Sequence, residues 1–153
     1  MYRHYPILGF AILALLAFPA SSRAEDIKVC VVAVLATDKN ATVDKRLADL
    51  AKEVQLINPK LTGFKVHRSS SEFLSIDETK TFELADGQTV DVTVNKKKGD
   101  KNSITLTIAP PKLGAITYSC ACDKFVVVAT QHFTKDKEQL FIAVMAKPCM
   151  LKK

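Results

Sequence analysis

The stretch Ile27-Lys28-Val29-Cys30-Val31-Val32-Ala33-Val34-Leu35-Ala36-Thr37 decides the fold. It is almost wholly apolar and rich in β-branched residues, and its apolar positions fall on both parities. A strand with one wet face alternates apolar with polar side chains, whereas a strand covered on both faces does not. The stretch therefore reads as a long first strand buried on both sides.

A helix follows. Asp38-Lys39-Asn40-Ala41 is a turn, after which Thr42 or Asp44 can cap. Over residues 44–57, Leu47, Leu50, Ala51, Val54 and Ile57 recur at helical spacing, while Lys45, Arg46, Asp49, Lys52 and Glu53 take the other face. Asn58-Pro59 ends the pattern, because a residue before proline avoids the α region. The polar face mixes both signs of charge and holds no aromatic anchor. The helix is thus of the core-facing kind, not the kind that lies on a membrane.

Beyond Pro59 everything reads as strand and turn. Phe64, Val66 and Arg68 alternate with Lys65 and His67, and Ser69-Ser70-Ser71-Glu72 follows as a loop or a polar edge. Thr81–Leu84 and Thr89–Val94 flank Asp86-Gly87, a strong hairpin signal. A second hairpin turns through Lys96-Lys97-Lys98-Gly99-Asp100 into Ile104–Ile108, and Pro110-Pro111 breaks the run. Three more strands are expected at Ala115–Cys122, Phe125–Ala129 and Leu140–Met145, the first two joined by a tight turn at Asp123-Lys124. Short connections call for antiparallel neighbours. The expectation is an α+β domain, with one amphipathic helix packed on a curved, mostly antiparallel sheet of about seven to eight strands.

Upstream of the first strand, residues 1–24 read as a cleavable signal peptide. Arg3 supplies the basic start, Ile7–Phe18 the apolar run, Pro19 a break and Ser22-Arg23-Ala24 a small-residue cleavage site. The apolar run is shorter than the roughly twenty residues that span a bilayer. Cleavage near Ala24 leaves residues 25–153 as a single exported domain, secreted or periplasmic, with no transmembrane segment expected. Two of the 22 basic residues and none of the 16 acidic ones fall in the signal, so the mature domain carries a net charge of +4. That excess serves solubility and is far from the footprint of a nucleic-acid binder.

Export changes how Cys30, Cys120, Cys122 and Cys149 are read. An even count in an oxidising compartment favours structural disulfides over metal ligation. Cys30 follows Ile27-Lys28-Val29, well past the apolar run, and so is no lipid-attachment site. Cys120-Ala121-Cys122 puts two sulfurs on one side of a strand, which raises a thiol-redox alternative. The usual redox pair is Cys-x-x-Cys at a helix N-terminus, and neither feature is present here. A bridge from this pair to Cys149 would pin the C-terminal tail and close a loop of about thirty residues, stabilising by roughly 3–4 kcal/mol in the chain-entropy model. Four cysteines allow three connectivities, which the sequence leaves open.

Other chemistry finds little support. His67 and His132 lie far apart without ligand spacing, and a Cys₃His set of Cys120, Cys122, Cys149 and His132 lacks the spacing of structural zinc sites. Ser69-Ser70-Ser71 lacks the glycines of a nucleophile elbow, and Asp77, Glu78, Glu83 and Asp86 read as solvated carboxylates. No cofactor is implied. Lys96, Lys97 and Lys98 form a solvated hairpin tip that also serves as a candidate contact surface for an acidic partner. Asn40-Ala41-Thr42 is a formal glycosylation sequon.

The order of elements resembles a loose group of small, exported, uncharacterised bacterial α+β proteins. The carriers are Val31–Thr37, the segment Val43–Glu53 and Asp86-Gly87-Gln88-Thr89. The resemblance implies an exported domain and brings no catalytic residues. Cystatin-like inhibitors also pack one helix on an antiparallel sheet, but the chain lacks a Q-x-V-x-G loop, so that likeness is topological. The functional expectation is a non-catalytic exported domain that binds a protein partner or joins an envelope assembly. The alternatives are a thiol-redox enzyme using Cys120 and Cys122, and an inhibitor of an exported hydrolase.

Overall fold

The computed structural model describes residues 26–95, 103–121 and 124–148, leaving the side chains of Ser103, Cys120, Ala121 and Pro148 undescribed. The apolar stretch forms β1 (Ile27–Thr37), hydrogen-bonded along one edge to β2 (Gly63–Leu74) and along the other to β8 (Gln139–Pro148). Between β1 and β2, a 3-10 turn over Lys45–Leu47 runs into α1 (Ala48–Ile57). Then come β3 (Thr79–Glu83), β4 (Thr89–Asn95), β5 (Ser103–Ala109), β6 (Ile116–Ala121) and β7 (Val126–Phe133).

These strands do not make one curved sheet. They form two four-stranded antiparallel sheets, sheet A in the order β2-β1-β8-β7 and sheet B in the order β3-β4-β5-β6. Strand takes 57% of the structure against 12% for helix, so the class is mostly β and the α+β expectation is corrected. The physical reason lies in two connections. The links from β2 to β3 and from β6 to β7 are short, yet each passes from one sheet to the other instead of turning back within a sheet. Closing two layers face to face buries both inner faces, which a single sheet under one short helix could not do.

The inter-sheet core follows strand parity. Val29, Val31, Ala33 and Leu35 of β1 meet Val90, Val92 and Val94 of β4 and Ile104, Leu106 and Ile108 of β5, all buried. The opposite parity of sheet A, with Val34 and Ala36 of β1 and Phe141 and Ala143 of β8, faces Leu47, Leu50, Ala51 and Val54 of the helical segment. The result is three layers: helix, sheet A, sheet B. The serine run is a polar edge within β2, not a loop. His67 is the extra residue of a bulge there, since Ala33 pairs with Arg68 and Val34 with Val66.

Two glycines shape the connections. Asp86 (φ 53) and Gly87 (φ 70) are both left-handed, the mark of a type I′ hairpin turn, with Gln88 N–H donating to Ala85 O. Gly63 starts β2 where it passes the turn after β1. A Cβ there would meet Asn40 Oδ1 at 2.3 Å and Thr37 Cγ2 at 2.8 Å. Gly63→Ala is therefore expected to cost about 1–3 kcal/mol through forced backbone shifts. Gly87→Ala, with open space around it but a left-handed backbone, should cost about 1–2 kcal/mol. Urea denaturation of the protein checks both, the expected midpoints lying below that of the unmodified protein.

Candidate functional site

A ten-residue helix is roughly 15 Å long. The central strands of sheet A, ten and eleven residues, run for roughly 33–37 Å. The helix therefore cannot cover the outer face of the sheet, and it leaves a groove on either side. Beside β7 lies a groove of about 300 Å³ between Glu53, Val54 and Ile57 of α1 and Val127 and Ala129 of β7, floored by Gln139 and Phe141 of β8. On the β2 side lies one of about 370 Å³, lined by Cys30, Val32, Arg46, Asp49, Leu50, Val66, Phe125 and Met145 among others.

The first groove is joined to a free strand edge. Among the described residues β7 is hydrogen-bonded to β8 only, in register from Val126–Val144 to Ala129–Phe141. Beyond Ala129 the ladder breaks, and Thr130, Gln131 and His132 together oppose the single residue Leu140 before Phe133 meets Gln139. Side chains close this bulge: Thr130 Oγ1 donates to Leu140 O at 2.7 Å, and Gln139 Nε2 donates to Thr130 O at 3.0 Å. The straight part of the edge is thus four residues long, and Val127 and Ala129 turn from it into the groove.

Helical spacing assigned Ile57 to the packed stripe, but it stands 89% exposed at the groove rim, with Leu56 beside it at 87%. The signal that would have marked them is two adjacent apolar residues at the helix end, where one face can take only one. Val127 and Ala129 gave no such signal, because their role depends on which strand lies at the sheet edge.

The residues expected to carry chemistry fall elsewhere. Cys30 is half-buried on the floor of the second groove, with no disulfide among the described residues and with Ser71 and Met145 as its strand partners. Cys122, Cys149, the side chain of Cys120, Asp123 of the expected Asp123-Lys124 turn, the lysine tip Lys96-Lys97-Lys98 and residues 1–24 lie outside the described residues. Three of the four carboxylates have structural partners. Glu78 accepts from Ser75 N–H, Glu83 pairs with Arg68 across the two sheets, and Asp86 Oδ2 sits 3.0 Å from His132 Nε2. His132 thereby ties the bulge of β7 to the β3–β4 turn, and His67 is exposed on β2. Among the described residues no cluster of His, Cys, Asp and Glu is arranged to hold a metal ion. Nor, among them, is any helix long and apolar enough to cross a membrane.

At the rim of the second groove, Arg46 is held by Asp44. The carboxylate caps the helical segment by accepting Arg46 N–H at 3.0 Å and receives the guanidinium at 3.1 and 2.8 Å. The side-chain bond from Arg46, with the backbone N–H second, lowers the Asp44 carboxyl from an ordinary 3.8 to about 2, and the same bond raises Arg46. The chain matches no family model, no curated protein and no solved structure.

A carboxyl depressed on folding stabilises the fold above its unfolded value and loses that effect as pH falls through its folded value. The Asp44 contribution should therefore be complete above about pH 4 and fade towards pH 2. Carboxyl-detected NMR titration should place the Asp44 midpoint near 2. Asp44→Asn should flatten that part of the stability profile.

Proposed function

We propose that the mature chain is an exported, non-catalytic domain that binds a protein partner by accepting a short extended segment along the free edge of β7. One observation carries this reading: an apolar groove lies between a helix and an edge strand that bears no Lys, Arg, Asp or Glu. Strand addition takes its affinity from main-chain hydrogen bonds and its specificity from pockets for alternate side chains. Both parts are present at β7. The edge offers unpaired backbone groups, and the groove beside it accepts side chains pointing towards α1.

The same edge describes the partner. The bulge at Thr130 limits straight pairing to the four positions Val126–Ala129, so the added segment is about four residues long. Side chains alternate, so two of them face Val127, Ala129 and Ile57, and these are apolar. Glu53 is the charged residue on this groove and forms no ion pair among the described residues, so a lysine or arginine flanking the apolar positions complements it. The opposite flank of the sandwich does not invite such pairing. There β2 carries Lys65, Arg68 and Glu72, and β3 carries Lys80 and Glu83.

Selection of a displayed library of extended peptides against the mature chain tests the proposal. The expected outcome is enrichment of segments with two alternating apolar residues next to a basic one. Their binding should fall about tenfold or more with Ile57→Asp or Val127→Lys and stay unchanged with Leu56→Asp, which lies off the groove. No enrichment, or enriched peptides indifferent to Ile57 and Val127, overturns it.

A further inference from the structure

β6 is an edge strand of sheet B, and the side chains of that sheet form rows. Thr79, Thr93, Thr107 and Thr117 stand opposite one another across all four strands, and Asn95, Thr105 and Ser119 make a second row. The hydroxyls link across the pairs, with Thr79 to Thr93 at 2.7 Å, Thr107 to Thr117 at 3.2 Å and Thr105 to Ser119 at 3.1 Å. Both rows end at β6 on the exposed side chains of Thr117 and Ser119. Beyond them lies the outer backbone edge of β6, which among the described residues is hydrogen-bonded to β5 alone.

We infer that β6 pairs antiparallel with β6 of a second copy of this chain, making a dimer with one continuous eight-stranded sheet. The sequence of the strand, Ile116-Thr117-Tyr118-Ser119-Cys120-Ala121, contains no charged residue. That matters for a two-fold contact, because the operator brings each residue near the axis against its own like, and any charge would meet itself. The flank formed by β2 and β3, with five Lys, Arg and Glu residues, fails this test.

Strand parity also fixes the register. Opposite residues of an antiparallel pair lie on the same face of a sheet. A symmetric pairing must therefore place a residue opposite its own copy, never opposite its neighbour. Tyr118 and Ser119 are equally central in the six-residue strand, and of the two only Tyr118 on the axis sets two hydroxyl residues opposite each other, Thr117 against Ser119 of the second copy. Both are hydroxyl residues on the outer face. The threonine row of one copy then runs on into the Ser119–Thr105–Asn95 row of the other, by the same cross-strand contact used within each sheet.

Sedimentation velocity of the mature chain over a wide concentration range tests this. A reversible dimer is expected, and Ser119→Lys, which puts two like charges beside the axis, should weaken it roughly tenfold or more. Adding Thr117→Glu to Ser119→Lys should restore it, since each new lysine then faces a new carboxylate of the other copy. Thr81→Lys, on the opposite flank, should leave it unchanged, and matching thermal melts show that all three variants fold. A chain that stays monomeric throughout overturns the inference, as does a dimer indifferent to Ser119→Lys or not rescued by the double variant. Sedimentation is read on the protein alone, with no partner peptide present, so its failure leaves the β7 groove reading standing, and failed peptide selection leaves the dimer standing.

Discussion

β1 is hydrogen-bonded along both edges and stripped of water on both faces, and the rest of the fold answers those four demands. β2 and β8 take the edges. Sheet B takes the inner face, and the helical segment takes the outer one. The two covers are unequal. A four-stranded sheet matches the inner face in area, whereas a short helix shields only the middle of the outer face. The grooves that flank α1 follow from that mismatch of lengths and require no special loop or insertion.

Much of this was legible in the residues themselves. Apolar positions on both parities placed β1, helical spacing placed α1 with Thr42 or Asp44 as its cap, and Asp86-Gly87 marked a hairpin, which the structure turns through two left-handed residues. The division into two sheets was not legible. A connection as short as Ser75–Glu78 reads alike whether it reverses within a sheet or crosses to the facing one. The choice is made by which inner faces can be buried together, a property of the whole set of strands. The groove was hidden for the same reason: Val127 and Ala129 look like any buried strand residues until β7 is known to lie at an edge.

The two flanks of the sandwich differ in chemistry more than in shape. On one, charged side chains crowd both edge strands, and the Arg68–Glu83 pair clamps the two sheets together. The other edge strands, β6 and β7, carry no Lys, Arg, Asp or Glu, and the His132–Asp86 contact ties β7 to the β3–β4 turn. Charges on an edge repel further strands, so their confinement to one side marks the other as open to pairing. A helix-side groove and a hydroxyl row meet that open side from its two layers.

The pairing of β1 with β8 joins the earliest and latest of the eight strands, at sequence separations on the order of a hundred positions. Loop-closure entropy therefore stands between the nascent chain and its central ladder. As the chain is synthesised, β1 finds a strand partner in β2 on one edge, while its other edge stays open until β8 is made. Local hairpins such as β3–β4 have no such wait and can form at once. Folding is thereby ordered by topology: sheet B assembles early from neighbours, and sheet A closes last around its longest-range contact. Until that closure, the most apolar strand in the chain is also the one most in need of protection from wrong pairings.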